Sequence, residues 1–427
     1  MARHSGGILG KGPIAAAFAV ASLLFTGCGD PQASFSLNRV YMRYLENDQG
    51  GGEALKREQV QAIVDVTEAL YGTPDQPEFP SGVESSESVI DMARVASAAG
   101  PVHSNQYGDG AGLYRQHCVH CHGISGDGRG PTAQFLNPYP RDFTRGIFKF
   151  KSTPIGAKPT EEDLRTILMN GVAGTAMPSF ALFSEGEIDA LIDYVQYLSI
   201  RGETERRLIE AQVAGDFYNA DEPENNAELL SQFQGREYLV GEVATEVVEG
   251  WAGAAEQATE VPQRPKKYDR FSGEFDADEL SASQDRGRKL YYTTTANCFS
   301  CHGPSQLGDG QMTDYDNWTK EFFDWTKKTE EAYPKRMAEY LELTGGFKPR
   351  NIIPRNLRSG IYRGGRRPVD IFWRIANGID GTPMPAANRS ALSDDDIWDL
   401  VNFVLSLPYD STSQNGIVAV TNPRDVD

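Results

Sequence analysis

Apolar residues recur at helical spacing in several parts of this 427-residue chain. In residues 53–71 they fall three or four positions apart, and residues 84–98 form a second stretch of this kind. The stretches that follow Ser184 and Ser393 carry the same pattern. The apolar positions are Val60, Ile63, Val64 and Leu70, then Ile188, Leu191, Ile192, Val195 and Leu198, and finally Ile397, Leu400, Val401 and Val404. The pattern predicts an all-α fold.

Start and stop signals place the ends of these helices. Thr160 precedes three acidic residues, which is typical of a helix start, and this helix should run to Asn170. Ser184 is followed three positions later by Glu187, which forms a capping box. Residues 203–213 and 227–260 are also predicted to be helical, and the proline-rich stretch 73–80 ends the helix of 53–71.

The first 27 residues indicate a secretory signal peptide. Arg3 and Lys11 form a short positive region, and the apolar stretch 14–25 is too short to span a bilayer. Residues 24–28 resemble a bacterial lipobox, in which Cys28 would carry a lipid thioether and become the mature N-terminus. Phe25 departs from the aliphatic residue usual at its position, and ordinary cleavage that leaves a free thiol is the alternative.

The lipobox resemblance also implies a location. One lipid-modified end is an anchor and does not span the membrane. By resemblance, Gly29 after the cysteine favours the outer membrane where a cell has two. The chain is therefore expected on the periplasmic side, with its body outside the bilayer.

Charge and length narrow the function classes. The net charge is −19, from 41 basic and 60 acidic residues. A chain this acidic is a poor candidate for binding nucleic acid or an anionic membrane surface. Its length predicts two or three domains of ordinary size.

The positions of the cysteines indicate which cofactor the chain binds. Four of the five lie in two C-x-x-C-H motifs, at 118–122 and 298–302, and the fifth is Cys28, so none remains for a disulfide. The motif is the attachment signature of c-type haem. Two thiols one helical turn apart can each add to a vinyl group of one porphyrin, and the adjacent histidine can bind the iron. C-x-x-C alone would also suit a redox dithiol or a zinc site. The residues concerned are Cys118, Cys121 and His122, and Cys298, Cys301 and His302.

Around the first motif the chain resembles the class I cytochromes c. Gly112, Leu113 and Tyr114 suggest a short helix that leads into Cys118, and a glycine-rich loop ending at Pro131 follows. In that family a proline at this place offers its carbonyl to the second ring nitrogen of the proximal histidine. The resemblance therefore assigns Pro131 as the acceptor for His122 and a closing helix packed across the first one.

The sixth iron ligand is expected to be a methionine. Met177 stands before Pro178 and after two glycines, so the chain could approach the iron closely there. A methionine is more often core filler, but this one recurs as Met384 in an equivalent loop. A thioether favours reduced iron and raises the potential.

The second motif lies in a copy of the first. Residues 140–148 match 354–362, residues 170–171 match 377–378, and Ser184 is answered by Ser393. Two features depart from the copy. Residues 312–348 are inserted, as a flap that covers the haem or as a surface for partner docking. No Gly-Pro follows the second motif, so the acceptor for His302 is left open.

Basic residues cluster around the duplicated positions. Arg141 and Arg355 occupy the same place in the two copies, and we expect them to pair with haem propionates. The remaining cations near them could form a docking patch for an acidic redox partner.

These observations give a domain plan of two class I cytochrome c domains with an N-terminal helical extension and a helical connector. The predicted segments are a signal peptide at 1–27, the extension at 28–100, the first domain at 101–201, the acidic connector at 202–282, the second domain at 283–410 with its insertion at 312–348, and a tail at 411–427.

The predicted function is electron transfer through two haems c with His/Met ligation, and not enzymatic catalysis. The expected partners are membrane-associated redox proteins such as a terminal oxidase or a quinol-oxidising complex, with no small-molecule substrate. A di-haem peroxidase is the alternative from another class, and it would need an open iron position. A fixed cytochrome subunit of a respiratory complex would share the chemistry and differ in its partners.

Overall fold

The computed structural model describes Met1 and residues 33–48, 55–80, 82–83, 86–101, 112–214, 243–315 and 333–410. The chain divides into two compact units, Met1–Ser34 and Phe35–Asp427. The predicted signal peptide after Met1 and the lipidation site Cys28 lie outside the described residues. So do residues 215–242 of the connector, 316–332 of the insertion and the tail from 411.

The described ranges are helical, with two isolated β-bridges and no strand. The predicted all-α class is therefore confirmed for them. The α-helices are α1 (Arg39–Asp48), α2 (Arg57–Tyr71), α3 (Ser86–Val89), α4 (Met92–Ala98), α5 (Leu113–His117), α6 (Val119–His122), α7 (Glu161–Asn170), α8 (Glu185–Ala214), α9 (Thr245–Ala252), α10 (Ala277–Tyr291), α11 (Cys298–His302), α12 (Tyr333–Thr344), α13 (Pro368–Asn377) and α14 (Asp394–Ser406). None of them combines enough length and apolar character to cross a bilayer.

The N-terminal extension lies on α8. Helices α1, α2 and α4 all pack against it, and the Tyr71 hydroxyl lies 2.7 Å from Thr204 Oγ1. The stretch 84–98 was predicted as one helix, but it forms α3 and α4 with an extended Asp91 between them. The Asp91 side chain accepts a hydrogen bond from the backbone of Ala93 at 2.8 Å and so caps α4.

Helix α8 runs for 30 residues, through the position where two helices were predicted. Gly202 lies at the predicted break and does not interrupt it. A methyl carbon on Gly202 would collide with the Cα of Thr144, so this glycine lets the 3-10 turn Phe143–Arg145 approach the helix. The capping box is present, because Ser184 N donates to Glu187 Oε2 at 2.8 Å and Glu187 N donates to Ser184 Oγ at 3.3 Å.

The two copies build separate cores. One apolar cluster joins the first copy, the extension and α9, where Trp251 is buried against Phe148. The other belongs to the second copy, in which α10 packs on α14. A polar network supports the second packing, since Arg286 donates to both oxygens of Asp399 at 2.7 and 2.9 Å.

The copies also contact each other through buried polar groups. Lys151 Nζ lies 3.0 Å from Asp380 Oδ2, and these side chains are only 3% and 9% exposed. Asn377 Nδ2 donates to the carbonyl of Ser152 at 2.8 Å. Thr259 of the connector bonds to both, since its N–H reaches Ser152 O at 2.9 Å and its hydroxyl reaches Asn377 at 2.7 Å.

The described end of the insertion packs on the first copy. Tyr340 of α12 is buried and donates to the carbonyl of Val40 at 3.1 Å. The Phe347 ring lies 4.8 Å from that of Tyr139. This part of the insertion thus packs on the first copy, and its two alternatives, a flap over the haem and a docking surface, stay predictions.

Candidate haem sites

The first motif is held in a rigid turn. Helix α5 delivers Cys118, and α6 carries the rest of the motif to His122. His122 Nδ1 lies 3.0 Å from the carbonyl oxygen of Arg141. A carbonyl can only accept, so Nδ1 carries the proton and Nε2 keeps its lone pair for a ligand. Burial lowers the pKa of His122 to about 4, which keeps the ring neutral as a metal ligand requires.

The predicted acceptor for His122 was wrong. Pro131 is exposed, and the Nδ1 partner is Arg141, which lies further along the chain. The glycine-rich loop serves the motif in another way, because the N–H of Gly128 donates to the carbonyl of His122 at 2.9 Å. The His122 ring also stacks on Phe143, with ring centres 4.6 Å apart and planes 14° apart.

The first methionine loop is closed by local hydrogen bonds. Val172 N donates to the carbonyl of Met177 at 3.1 Å, and Met177 N donates to Thr175 Oγ1 at 3.1 Å. Gly171 has a φ of +65°, and a side chain there would strike the backbone of Met177 and Pro178. The loop therefore fixes the backbone position of Met177.

The second site repeats these contacts. His302 Nδ1 lies 3.1 Å from the carbonyl of Arg355, and burial lowers the pKa of His302. Ile379 N donates to Met384 O at 3.1 Å, and Met384 N donates to Thr382 Oγ1 at 3.2 Å. The open question of the acceptor for His302 is thus answered. The duplicated Pro-Arg pair, 140–141 and 354–355, was the sequence signal for both acceptors.

Sequence reasoning missed one difference between the sites. Gly126 has a φ of +71°, and the matching position in the second copy is Gln306, with a φ of +61°. Arg358 stabilises this unusual backbone, since it donates to Ser305 O at 2.8 Å and to Gln306 Oε1 at 2.7 Å. Nothing in the spacing of the motif indicates this role for Arg358.

The first thiol of each motif differs from a redox-active cysteine. Burial raises the pKa of Cys118 to about 12 and that of Cys298 to about 11. Redox-active pairs need the opposite shift, because the thiolate is the reactive form. The direction of the shift at Cys118 and Cys298 therefore disfavours the redox-dithiol alternative.

A cavity beside the first motif tests whether a haem fits. It has a volume of about 790 Å³ and is lined by Cys118, Cys121, His122 and Met177 together. That volume lies within the range of about 300–1,000 Å³ usual for cofactor sites. Its apolar walls include Phe143, Phe148, Leu164, Leu168, Phe180 and Ile192. The thiols, the imidazole and the thioether thus face one space of suitable size, and the residues present fit the group.

The second copy contributes to this cavity. Arg355, residues 346–350 of the insertion region and Ile361 line it together with Arg141. The two arginines expected to bind propionates therefore meet at one cavity, and their pairing with propionates stays a prediction. A methyl carbon on Gly174 in the first methionine loop would lie 3.0 Å from Ile361 Cγ2 and 3.3 Å from Arg355 Nη2.

A protein-family model matches the region around each motif. The family model described as cytochrome c oxidase, cbb3-type, subunit III matches residues 105–195. The family model described as cytochrome c matches residues 284–408. The chain contains two cytochrome c domains. Their cysteine pairs, 118 with 121 and 298 with 301, imply two haems c.

Other comparisons add less. A chain of the reducing HAO-like protein complex of Kuenenia stuttgartiensis is similar to this one, with 23% identity and a TM-score of 0.41. The likeness covers 69% of this chain and 93% of that chain. No curated protein matches the sequence.

Proposed function

We propose that this chain is an electron carrier whose two cytochrome c domains each hold their haem between a histidine and a methionine. The pairs are His122 with Met177 and His302 with Met384. The observation that carries the proposal is the repetition of one hydrogen-bond scheme in both domains. It fixes each imidazole through Nδ1 and each methionine backbone through a threonine hydroxyl.

Each residue has a defined task in this proposal. The cysteine thiols anchor the group covalently, and the arginine carbonyls orient the imidazoles so that Nε2 points away from the backbone. When bound, haem c supplies a one-electron iron couple. The thioethers of Met177 and Met384 would be the second protein ligands of the two irons, so that no position would stay open for a substrate.

Substitution of the two methionines tests the ligation. Met177→Ala and Met384→Ala should each remove half of the sulfur-to-iron charge-transfer band of the oxidised protein. Met169 is the matched control, since it is a partly exposed methionine of α7 close to the same loop. Met169→Ala should leave the band at full intensity.

The same spectra decide between carrier and enzyme. An unchanged band in Met177→Ala would remove that methionine from the ligand set. A high-spin signal in the unsubstituted, resting protein would show an open position and favour the peroxidase-like alternative, because peroxide chemistry needs a vacant site.

The partners in this proposal are oxidase-related redox proteins. The match of the first domain to a cbb3-type oxidase subunit model supports this class. A terminal oxidase or a quinol-oxidising complex fits it, and the chain would be either a mobile carrier or a fixed subunit. Purification from solubilised membranes at low and high salt should separate these cases, since only a fixed subunit stays bound at high salt.

We place the protein on the periplasmic side of a membrane, anchored through a lipid on Cys28. The lipobox-like segment supports this location. Cys28→Ser should move the haem protein from the membrane fraction to the soluble fraction. If the unsubstituted protein is already soluble, the anchor is disproved and only the signal peptide remains.

A further inference from the structure

A wide groove runs along the second cytochrome c domain, away from the cavity described above. Its volume is about 1,550 Å³, and its walls are residues 261–271 of the connector, α10, and the end of α14. Phe271 and Tyr409 also line it and are 98% and 65% exposed. The groove is therefore open to large molecules.

The charge of this groove is opposite to that of the chain. Seven basic and three acidic side chains line it, whereas the whole chain has 60 acidic and 41 basic residues. The basic residues are Arg264, Lys266, Arg270, Arg288, Arg358, Arg366 and Arg367. A basic groove on an acidic protein attracts an acidic partner and fixes where it docks.

Some of these basic side chains already form ion pairs within the chain, and others do not. Arg367 pairs with Asp370 at 2.8 Å, and Arg358 pairs with Asp410 at 2.9 Å. Arg270 and Arg288 are exposed, and within the described residues neither side chain makes a hydrogen bond or an ion pair. They are available to an incoming carboxylate.

Two buried donors in the lining also have no acceptor within the described part of the chain. They are Arg264 Nε and the indole Nε1 of Trp398, a residue that is only 3% exposed. A buried donor that lacks a partner costs about 1–3 kcal/mol, so such atoms usually have an acceptor in the functional state. Carboxylate oxygens are acceptors only, and they suit both atoms.

The first domain shows what covers the equivalent face. The caps Ser184 and Ser393 align α8 with α14, so Asp189 matches Trp398 and Asp193 matches Asn402. In the first domain the N-terminal extension covers this face. Arg94 Nη2 lies 3.4 Å from Asp189, and Asp91 N donates to Asp193 at 3.2 Å.

In the second domain that face of the last helix is uncharged at the matching positions. An aspartate matches Trp398, and Arg264 of the connector donates to Asn402 at 2.6 Å. The last helix of the first domain thus presents acids to a basic residue of the extension, whereas in the second domain the matching positions are uncharged and the cations stand around them, on the connector, α10 and residues 358–367. The occupant of the groove should therefore be acidic.

The groove also reaches the second haem motif. Pro304 and Gln306 in its wall lie two and four residues after His302, and Tyr292 in the wall donates to Pro304 O at 2.7 Å. The Tyr292 ring lies 6.2 Å from that of Phe299 inside the motif. A molecule in the groove would thus lie against the histidine side of the second haem site.

We propose that this groove docks an acidic segment of a partner protein, at the face that the first domain fills with its own extension. The proposal relies on the proposed function only for the statement that this partner is a redox protein.

A peptide of alternating glutamate and serine, labelled with fluorescein, tests the docking on the full holoprotein at low salt. The double variant Arg270→Glu/Arg288→Glu should weaken its binding by about tenfold or more, because two attractive charges become repulsive. The peptide should also shift the indole N–H resonance of Trp398, which Trp398→Phe identifies.

Lys289→Glu is the matched control. Lys289 is exposed, neighbours Arg288 on α10 and lies outside the groove lining. It makes half the charge change of the double variant and should weaken binding by less than about twofold. If one reversal at Lys289 weakens binding as much as the double variant does, the attraction is diffuse and the proposal is overturned.

Two further outcomes would name another occupant and also overturn the proposal. One is self-association of the protein in sedimentation that Arg270→Glu/Arg288→Glu abolishes, which would make the occupant a second copy. The other is a tenfold gain in peptide affinity when residues 411–427 are removed, which would make it the tail. The visible spectrum of each variant checks the haems separately, so a failure of ligation is not confused with a failure of docking.

Discussion

The two cytochrome c domains agree around the haem motifs and differ around their last helices. Each has a histidine fixed by the carbonyl of an arginine and a methionine loop closed by the same two hydrogen bonds. The last helix is 30 residues long in the first domain and 13 in the second. The long helix carries the N-terminal extension, whereas the short one borders an open basic groove.

The difference shows which features the chemistry requires. Each methionine loop is closed by bonds between residues two and five positions apart, so the same closure is present in both copies. The outer face of the last helix contributes nothing to those bonds. In the first copy that face carries Asp189 and Asp193 and is covered by the extension, and in the second it carries Trp398 and Asn402 beside an open basic groove.

The two domains also contribute unequally to the contact between them. The second domain and its insertion help to line the cavity of the first. Contacts between the methionine loops and the opposite domains are tighter on one side, because Gly174 faces Ile361 and Arg355 closely while Gly381 faces Ile147 at 3.6 Å.

The largest effect should come from the buried ion pair that joins the domains. Asp380→Ala removes the partner of Lys151 and of Gly156 N, which donates to Asp380 at 2.9 Å. The buried ammonium would keep its hydrogen bonds to the carbonyls of Pro154 and Ala157 but lose its counter-charge, which should lower the free energy of unfolding by about 3 kcal/mol. Urea unfolding followed by circular dichroism measures it.

The exposed ion pair between Arg389 and Asp394 serves as the control. Arg389→Ala should cost less than about 1 kcal/mol. If Asp380→Ala lowered the free energy of unfolding by no more than Arg389→Ala, the two domains would be only loosely joined. The unequal contact between them would then have no structural basis.

Alanine in the two methionine loops should show the unequal contact directly. Gly174 and Gly381 both have a φ of +70°, so each substitution carries a backbone strain of about 1 kcal/mol. Gly174→Ala should cost about 1 kcal/mol more, since its methyl group would press on Ile361. Thermal unfolding of the two variants compares them, and equal losses would contradict the asymmetry.

The smallest expected loss of stability concerns one tyrosine hydrogen bond in each domain, and it should be the same in both. Tyr114 donates to Gly123 O at 2.8 Å, and Tyr291 donates to Gly303 O at 2.7 Å, each beneath its haem motif. Tyr114→Phe and Tyr291→Phe should each cost about 1 kcal/mol, the net value of one hydrogen bond. A difference of more than about 1 kcal/mol between them would mean that the motif turns are not equivalent.

The sequence was sufficient for features set by local chemistry. Helix α7 begins and ends where Thr160 and Asn170 indicate, and α8 and α14 start at the predicted serine caps. The haem motifs and the methionine loops were found from spacing and duplication. Short-range hydrogen bonds decide these elements, so they leave a mark in neighbouring residues.

Features that depend on distant parts of the chain were missed. Pro131 was chosen by resemblance to a loop, but the histidine acceptor comes from Arg141. Helix α8 continues past residue 201 because the extension and the turn at Thr144 pack along it, which no local signal shows. The contact between Lys151 and Asp380 joins residues far apart in sequence, and neither motif predicts it.

A potentiometric titration of the full protein, followed by its visible spectrum, tests the equivalence of the two haem sites most directly. We predict two one-electron transitions, with both irons low-spin and both showing the sulfur-to-iron band when oxidised. A single transition of one electron per chain, or a five-coordinate high-spin iron at rest, would contradict the account.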